Sequence, residues 1–173
     1  MRRVVITGAG TINPLGRNVL ATMEAMREGR CGIGPLDIRD IERLQIRIGG
    51  QVRDYDETAH FNRQQIALYD KFTQFALLAA REAIGQSGLS FGGELADKSG
   101  VILGTSGGGL NTQDDNYRAV YEEGKNRVHP FIVPKLMNNA AVSHVSMEWN
   151  LRGPSFTVSS ACVSSNHDMG QAF

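Results

Sequence analysis

Several things are scarce in this sequence, and each shortage narrows what the chain can be. No apolar run approaches the ~20 residues that a membrane-spanning helix needs. Met1-Arg2-Arg3 leads straight into the apolar Val4-Val5-Ile6, so no secretory signal is expected. Neither sign of charge is in excess. Lys+Arg 18 stand against Asp+Glu 18, which leaves no basic field to attract nucleic acid or an anionic membrane. Cysteine is sparse: Cys31 and Cys162 lie far apart in a chain without export signals, which argues for free thiols in a reducing cytoplasm. The four histidines (His60, His129, His144, His167) form no His-x-x-x-His spacing, and the cysteines no Cys-x-x-Cys, so a metal site has little support. There is no internal repeat and no low-complexity tract.

What remains is an ordinary globular composition, 41% hydrophobic and 21% charged, in a chain long enough for one domain with a real core. Glycine is the outlier, with 20 residues and an average usage of about 7% to compare. Thr7-Gly8-Ala9-Gly10 follows the apolar Val4–Ile6 and invites a dinucleotide-binding reading. That fingerprint needs Gly-x-Gly-x-x-Gly, and the third position here is Asn13, with Pro14 and Gly16 delaying the helix. A strand-exit turn is the better reading. Gly104-Thr105-Ser106-Gly107-Gly108-Gly109 lacks the Gly-Lys-Ser/Thr of a phosphate loop. Its glycines point to close approach of backbone to a ligand or another chain.

Apolar periodicity orders the rest. Val4–Ile6 and Val101-Ile102-Leu103 read as strands covered on both faces, as in a parallel sheet. Asn18–Arg27 reads as a helix with Val19, Leu20, Met23 and Met26 on one face, stopped by Gly29. Arg30–Asp54 is loop-like, with alternation at Ile46 and Ile48 and a turn at Gly49-Gly50; Cys31 in this glycine-flanked loop looks incidental. Asp70–Ile84 is apolar nearly all round, the mark of a buried helix, with Gly85 and Gly88 to end it. Asn111–Glu123 reads as a polar helix with Tyr117, Val120 and Tyr121 inward. Pro130 and Pro134 bracket an extended Phe131–Val133. Lys135–Glu148 is a helix of small residues suited to close packing. Strand–helix alternation implies an α/β domain with a largely parallel sheet.

The chemistry gathers at Ser155–Phe173. Phe156 and Val158 alternate with small polar residues as a short half-buried strand, and helix begins at about Val163. Cys162 lies between the two. A helix N-terminus and free backbone N–H groups favour its thiolate and could hold an oxyanion. A buried structural cysteine is an equally good local reading. His167 is five residues on, about 140° around the helix, so a direct Cys162–His167 dyad is not expected and a structural role is. His144 lies on an apolar helix face and reads as a core histidine.

Leu151-Arg152-Gly153-Pro154-Ser155, followed by Ser159-Ser160-Ala161-Cys162 and Asn166-His167, resembles the β-ketoacyl-acyl carrier protein synthases, the type I/II condensing enzymes of fatty acid synthesis. VVITGAGTINPLG at the start, GTSGGG at 104–109 and HPFIVPKLMNNAAVSHVS at 129–146 fit in the right order, so the likeness runs end to end. It implies an α/β thiolase-like fold, five-layered αβαβα in a complete enzyme, of which residues 1–173 are an N-terminal ketoacyl synthase domain ending inside the nucleophile helix. It further implies a cytoplasmic homodimer that needs no metal or organic cofactor. Cys162 becomes the acyl-accepting nucleophile, taking a fatty acyl group from acyl carrier protein. Decarboxylation of malonyl-acyl carrier protein then supplies a carbanion, giving a 3-oxoacyl chain and carbon dioxide. Gly107 falls where some relatives carry a bulky aliphatic residue at the floor of the acyl pocket, and with Gly108 it implies an unobstructed substrate site. Ile132 matches a position that lines the partner subunit's pocket.

Three departures accompany the resemblance. The family's catalytic histidines and lysine belong to a second half not in this sequence. Gln64–Leu68 is uncharged where several relatives carry basic residues facing the carrier protein. Asp168 stands on the nucleophile helix where relatives usually have a neutral residue, and a carboxylate there would oppose a nearby thiolate. A catalytically silent partner subunit, one part of a divided enzyme, a thiolase and a polyketide ketosynthase stay open as alternatives. A nucleotide-dependent oxidoreductase fails on the glycine spacing.

Overall fold

The computed structural model describes residues 3–173; Met1 and Arg2, the start of the basic lead-in, lie outside them. The chain divides into two compact units. One comprises residues 6–56 and 78–88, and the other residues 3–5, 57–77 and 89–173.

In the first of these, α1 (Val19–Arg27) begins at Asn18, whose side chain accepts from the Ala21 N–H. Residues 30–54 are not all loop. Ile33–Pro35 (β1) and Ile48–Gly50 (β2) pair antiparallel, with Ile33 opposite Gly50 and Pro35 opposite Ile48. Gly49 and Gly50, expected as a turn, are therefore strand residues. The turn signal misled because these glycines serve close approach: a Cβ on Gly49 would lie 2.9 Å from the Leu36 side chain.

The Gly8 and Gly10 pair has a similar reason to exist. A Cβ on Gly8 would lie 2.0 Å from the Ala83 carbonyl oxygen, and one on Gly10 1.9 Å from that of Ala79. Only glycine lets this segment lie directly on the second half of α3 (Lys71–Ser87). Side chains of the same helix take up the segment's amides. Gln86 accepts from the Ala9 N–H, and the Glu82 carboxylate accepts from the N–H groups of Thr11 and Val19. The helix runs through Gly85 and stops at Gly88, whose φ of +67° suits only glycine without strain.

Val4–Ile6 forms no strand among the described residues, and Ile6 is 92% exposed. A strand apolar on both faces needs neighbours to pair with, and the described residues supply none.

The larger unit, which includes the short helices α2 (Arg63–Leu68) and α4 (Gly93–Lys98), is built on two parallel strands, β3 (Val101–Gly104) and β4 (Ser155–Val158), in register from Val101–Ser155 to Gly104–Val158. The ladder extends at both ends, through Val101 N–H to Pro154 and Thr105 N–H to Val158. Helix α7 (Ala140–Glu148) and helix α8 (Ser164–Ala172) pack against both strands. The small residues of α7 do what their size suggests: Ala140, Ala141, Val142 and Val145 are buried.

The expected helix from Lys135 to Glu148 is interrupted. Ile132–Leu136 is a separate short helix (α6), Met137 is extended, and α7 starts at Ala140. Phe131–Val133 is accordingly not extended. Pro134 falls in the first turn of α6, where its missing N–H has no intrahelical partner to lose.

Helix α5 (Leu110–Tyr121) follows the glycine loop. Its Tyr117 and Tyr121 do not face inward; Tyr121 is 80% exposed. The start of α5 is held from a distance. Asp70, only 4% exposed, uses one carboxylate oxygen to accept from the Thr112 N–H at 2.8 Å and its hydroxyl at 2.6 Å. A carboxylate at a helix N-terminus is favoured by the dipole as well as by these bonds.

His144, on α7, packs its ring against Tyr69 with centroids 4.4 Å apart. Burial holds its pKa below the ordinary 6.5. The native state thus favours the neutral ring. Its contribution is complete above the unfolded value and is lost as pH falls through the depressed folded value. Urea midpoints should fall between about pH 7.5 and about pH 5.5, and fall less in His144→Gln; equal pH dependence in the two proteins would contradict this.

Candidate active site

Five residues, 159–163, connect β4 to α8, and their backbone turns sharply. Ala161 has φ +49°, a left-handed conformation that costs a residue with a Cβ about 1–2 kcal/mol. Something must hold it, and Ser164 does. This side chain is 4% exposed, and its hydroxyl accepts from the Ser160 N–H at 2.9 Å and donates to the Ala161 carbonyl at 2.7 Å. Backbone bonds from Val163 N–H to Ser160 and from Ser164 N–H to Ala161 close the turn. The elbow is a small closed ring of hydrogen bonds.

Cys162 is carried on the outside of that ring, exposed and free of any disulfide. Among the described residues its N–H makes no hydrogen bond. An exposed sulfur and an unengaged amide two residues before a helix are the elements of a nucleophile with half an oxyanion hole. His167 lies elsewhere on the helix: its Nδ1 is 2.7 Å from the Ser160 hydroxyl. This contact ties α8 to the elbow, and no hydrogen bond joins His167 to Cys162 among the described residues; Cys162 precedes the helix, so the angle expected for two helical positions does not apply to the pair.

The end of β3 abuts the start of α8. A Cβ on Gly104 would lie 2.3 Å from the Ser164 carbonyl group, so a side chain there would force helix and strand apart. From Gly104 the loop runs on through a hydroxyl-closed turn, with the Thr105 Oγ1 donating to the Gly107 carbonyl at 2.6 Å. The nearest atoms to a Cβ on Gly107 all belong to the Leu110 side chain, the first at 3.3 Å. Gly108 is different. A Cβ there would lie 2.1 Å from the Leu136 carbonyl oxygen, the same oxygen that accepts from the Gly109 N–H at 2.9 Å. Gly108 is a backbone contact between the loop and α6.

Ile132 lines a different feature, an apolar cleft of about 340 Å³ shared with Tyr117, Val120, Tyr121, Val128 and Leu136. Gly107, Gly108 and Cys162 do not line it. The link is Leu136, whose side of α6 faces the cleft while its carbonyl receives the loop. Cys31 sits in a separate cavity of the smaller unit beside Arg17, Arg53 and Asp54. Charged neighbours distant in sequence surround it, which local reading had missed. Among the described residues no group of three or more His, Cys, Asp or Glu side chains could hold a metal ion.

The strand–elbow–helix places an exposed cysteine between β4 and α8 of an α/β protein. Comparison with known proteins narrows this. The family model for the β-ketoacyl synthase N-terminal domain matches residues 1–173, and the chain belongs to that family. It is 41% identical over 171 residues to nodulation protein E of Rhizobium sp. (strain N33), covering 99% of this chain and 42% of the relative. It is 33% identical over 172 residues to the 3-oxoacyl-[acyl-carrier-protein] synthase 2 of Staphylococcus aureus (strain N315), with the same coverage. A crystal structure of a β-ketoacyl synthase from Burkholderia phymatum STM815 superposes with a TM-score of 0.81 at 23% identity, over 100% of this chain and 43% of that one. The fold is thus the thiolase-like α/β fold of the ketosynthases, in its N-terminal half. The chain spans about 42% of the length of these curated relatives.

Ser164→Ala should leave the Ser160 N–H and the Ala161 carbonyl without their buried partner, at a cost of about 1–3 kcal/mol. The measurement is a urea unfolding curve beside the alkylation rate of Cys162; a variant as stable and as reactive as the parent would contradict the clamp.

Proposed function

We propose that this chain carries the acyl-accepting nucleophile of a β-ketoacyl-acyl carrier protein synthase, an acyltransferase of chain elongation. The observation that carries the reading is Cys162, exposed on a closed elbow with its own N–H unengaged, in a chain of this family.

In the proposed reaction the Cys162 thiolate attacks the thioester carbonyl of an acyl carrier protein-bound chain. Negative charge develops on the carbonyl oxygen, and the Cys162 N–H is one donor aimed at it. Collapse expels the carrier thiolate, which takes up a proton, and leaves the acyl group on Cys162. Loss of CO2 from malonyl-acyl carrier protein gives a carbanion equivalent that attacks the Cys162 thioester. A carbon–carbon bond forms, the Cys162 thiolate leaves, and the 3-oxoacyl product departs on the carrier. No step calls on a metal or organic cofactor.

The partners in this reading are acyl carrier protein, malonyl and acyl thioesters, and a second copy of the protein to which Ile132 is presented. No helix among the described residues is long and apolar enough to cross a membrane, and two free thiols suit the cytoplasm. Gly107 takes the floor of the acyl site. What supports this is that Gly107 has no side chain of its own to obstruct an acyl chain, and that the atoms nearest its Cβ position belong to the Leu110 side chain, from 3.3 Å, and not to backbone.

The test is condensation of acyl and malonyl carrier-protein thioesters by the protein, read as 3-oxoacyl product. Cys162→Ala should lose at least about a thousandfold in rate. Gly107→Ile should lower kcat/KM about tenfold for the longest acyl donors and spare the shortest. Undiminished condensation by Cys162→Ala would end the proposal, and an unchanged length profile in Gly107→Ile would end the assignment of the pocket floor.

A further inference from the structure

We infer that Asp168 is a positioning residue, which fixes the glycine loop carrying Gly107 beside the Cys162 elbow; the inference rests on the condensing-enzyme reading above. Asp168 is four residues after Ser164 on α8, so the two share a face of the helix. Ser164 holds the elbow. Asp168 reaches the strand instead, its Oδ2 accepting from the Gly104 N–H at 2.6 Å.

That N–H would otherwise be without a partner among the described residues. Val101 and Thr105 give theirs to Pro154 and Val158, on the β4 side. Strand alternation turns the N–H of Gly104 to the other side, where β3 has no neighbouring strand among the described residues. A carboxylate bond to a backbone amide is short and charge-assisted. It also places the carboxylate against an N–H dipole, which gives an acidic residue on this helix a purpose other than acting on the thiol.

Gly104 is the last residue of β3 and the first of the loop. At its other end the loop is held by Leu136, through the Gly109 N–H, and by Asp70, through Thr112. Between the two anchors the Thr105 N–H ties the chain to the Val158 carbonyl of β4, and the Thr105 hydroxyl braces it at Gly107. The near anchor, Gly104 held by Asp168 on one side and Thr105 held by β4 on the other, sets where Gly107 lies relative to Cys162. Because Gly104 also abuts the backbone of Ser164, Asp168 locks together the two segments that carry the proposed acyl floor and the proposed nucleophile.

Asp168→Asn keeps an acceptor oxygen without the charge, and Asp168→Leu keeps the bulk without either. Both are made in the intact protein, checked for folding by thermal melting, and assayed for transfer of acyl groups of graded length onto Cys162 by mass spectrometry. Asp168→Asn should stay within about threefold of the parent with the same length profile, while Asp168→Leu should lose about tenfold and blur the length preference. A parental rate and profile in Asp168→Leu, or an equal fall in Asp168→Asn, would overturn the inference. If Asp168→Leu does not fold, Asp168→Glu decides: it keeps the charge but moves the acceptor by one methylene, and an unchanged length profile would count against positioning. A parent protein that accepts no acyl group on Cys162 would overturn the condensing reading and this inference together, a result separable from any of the others.

Discussion

Backbone-to-backbone contact between the end of β3 and the first turn of α8 is the constraint on which the larger unit depends. Gly104 permits it by having no side chain, and a Cβ at that position would sit inside the Ser164 carbonyl group. Once the two elements touch, the side chain of Ser164 is buried, and burial of a hydroxyl demands partners. It finds them in the Ser160 N–H and the Ala161 carbonyl, and those two bonds stabilise the left-handed residue before Cys162. The exposed thiol is thus a consequence of packing one residue type against another, several steps removed from the sulfur.

The same device recurs. Gly8 and Gly10 lie on the carbonyls of α3, and Gly108 meets the last carbonyl of α6. Gly100 and Gly153 close on Pro154 and Ser99 where the paired strands begin. A chain rich in glycine often invites a search for phosphate-binding loops, and here two glycine clusters pass that first inspection. The first has no helix directly after it, and the second runs into α5 but lacks the Gly-Lys-Ser/Thr that phosphate chemistry needs. Their glycines instead shorten the distance between elements, and the acidic residues Glu82, Asp70 and Asp168 then satisfy the amides that close packing leaves exposed.

Much of this was legible in the sequence, and the reasons for the gaps are physical. The long helix at Lys71–Ser87, the paired strands at 101 and 155 and the elbow at Cys162 follow from local periodicity and small-residue crowding. Spacing along a single helix predicts no direct Cys162–His167 pair, though Cys162 in fact precedes that helix. The failures arise where one end of an interaction is far away in the chain. Val4–Ile6 has strand composition but no strand to pair with among the described residues. Pro134 signalled extended structure because proline usually breaks helices, yet the first turn of α6 tolerates it. Gly49-Gly50 has the chemistry of a turn and is used in a strand. No local rule could show that Asp70 caps a distant helix, or that Asp168 meets Gly104; Asp168 stands out only as an unusual carboxylate on its helix, and Asp70 does not stand out at all.

The central claim is that Cys162, and not Cys31, is the thiol that accepts an acyl group. Both are free and exposed, so exposure does not distinguish them; the elbow and its unengaged N–H do. The most direct measurement is incubation of the protein with an acyl-acyl carrier protein, followed by peptide mapping of the thioester adduct. One acyl group on Cys162 with Cys31 unmodified is the predicted result. An adduct on Cys31, equal labelling of both thiols, or no adduct at all would contradict it.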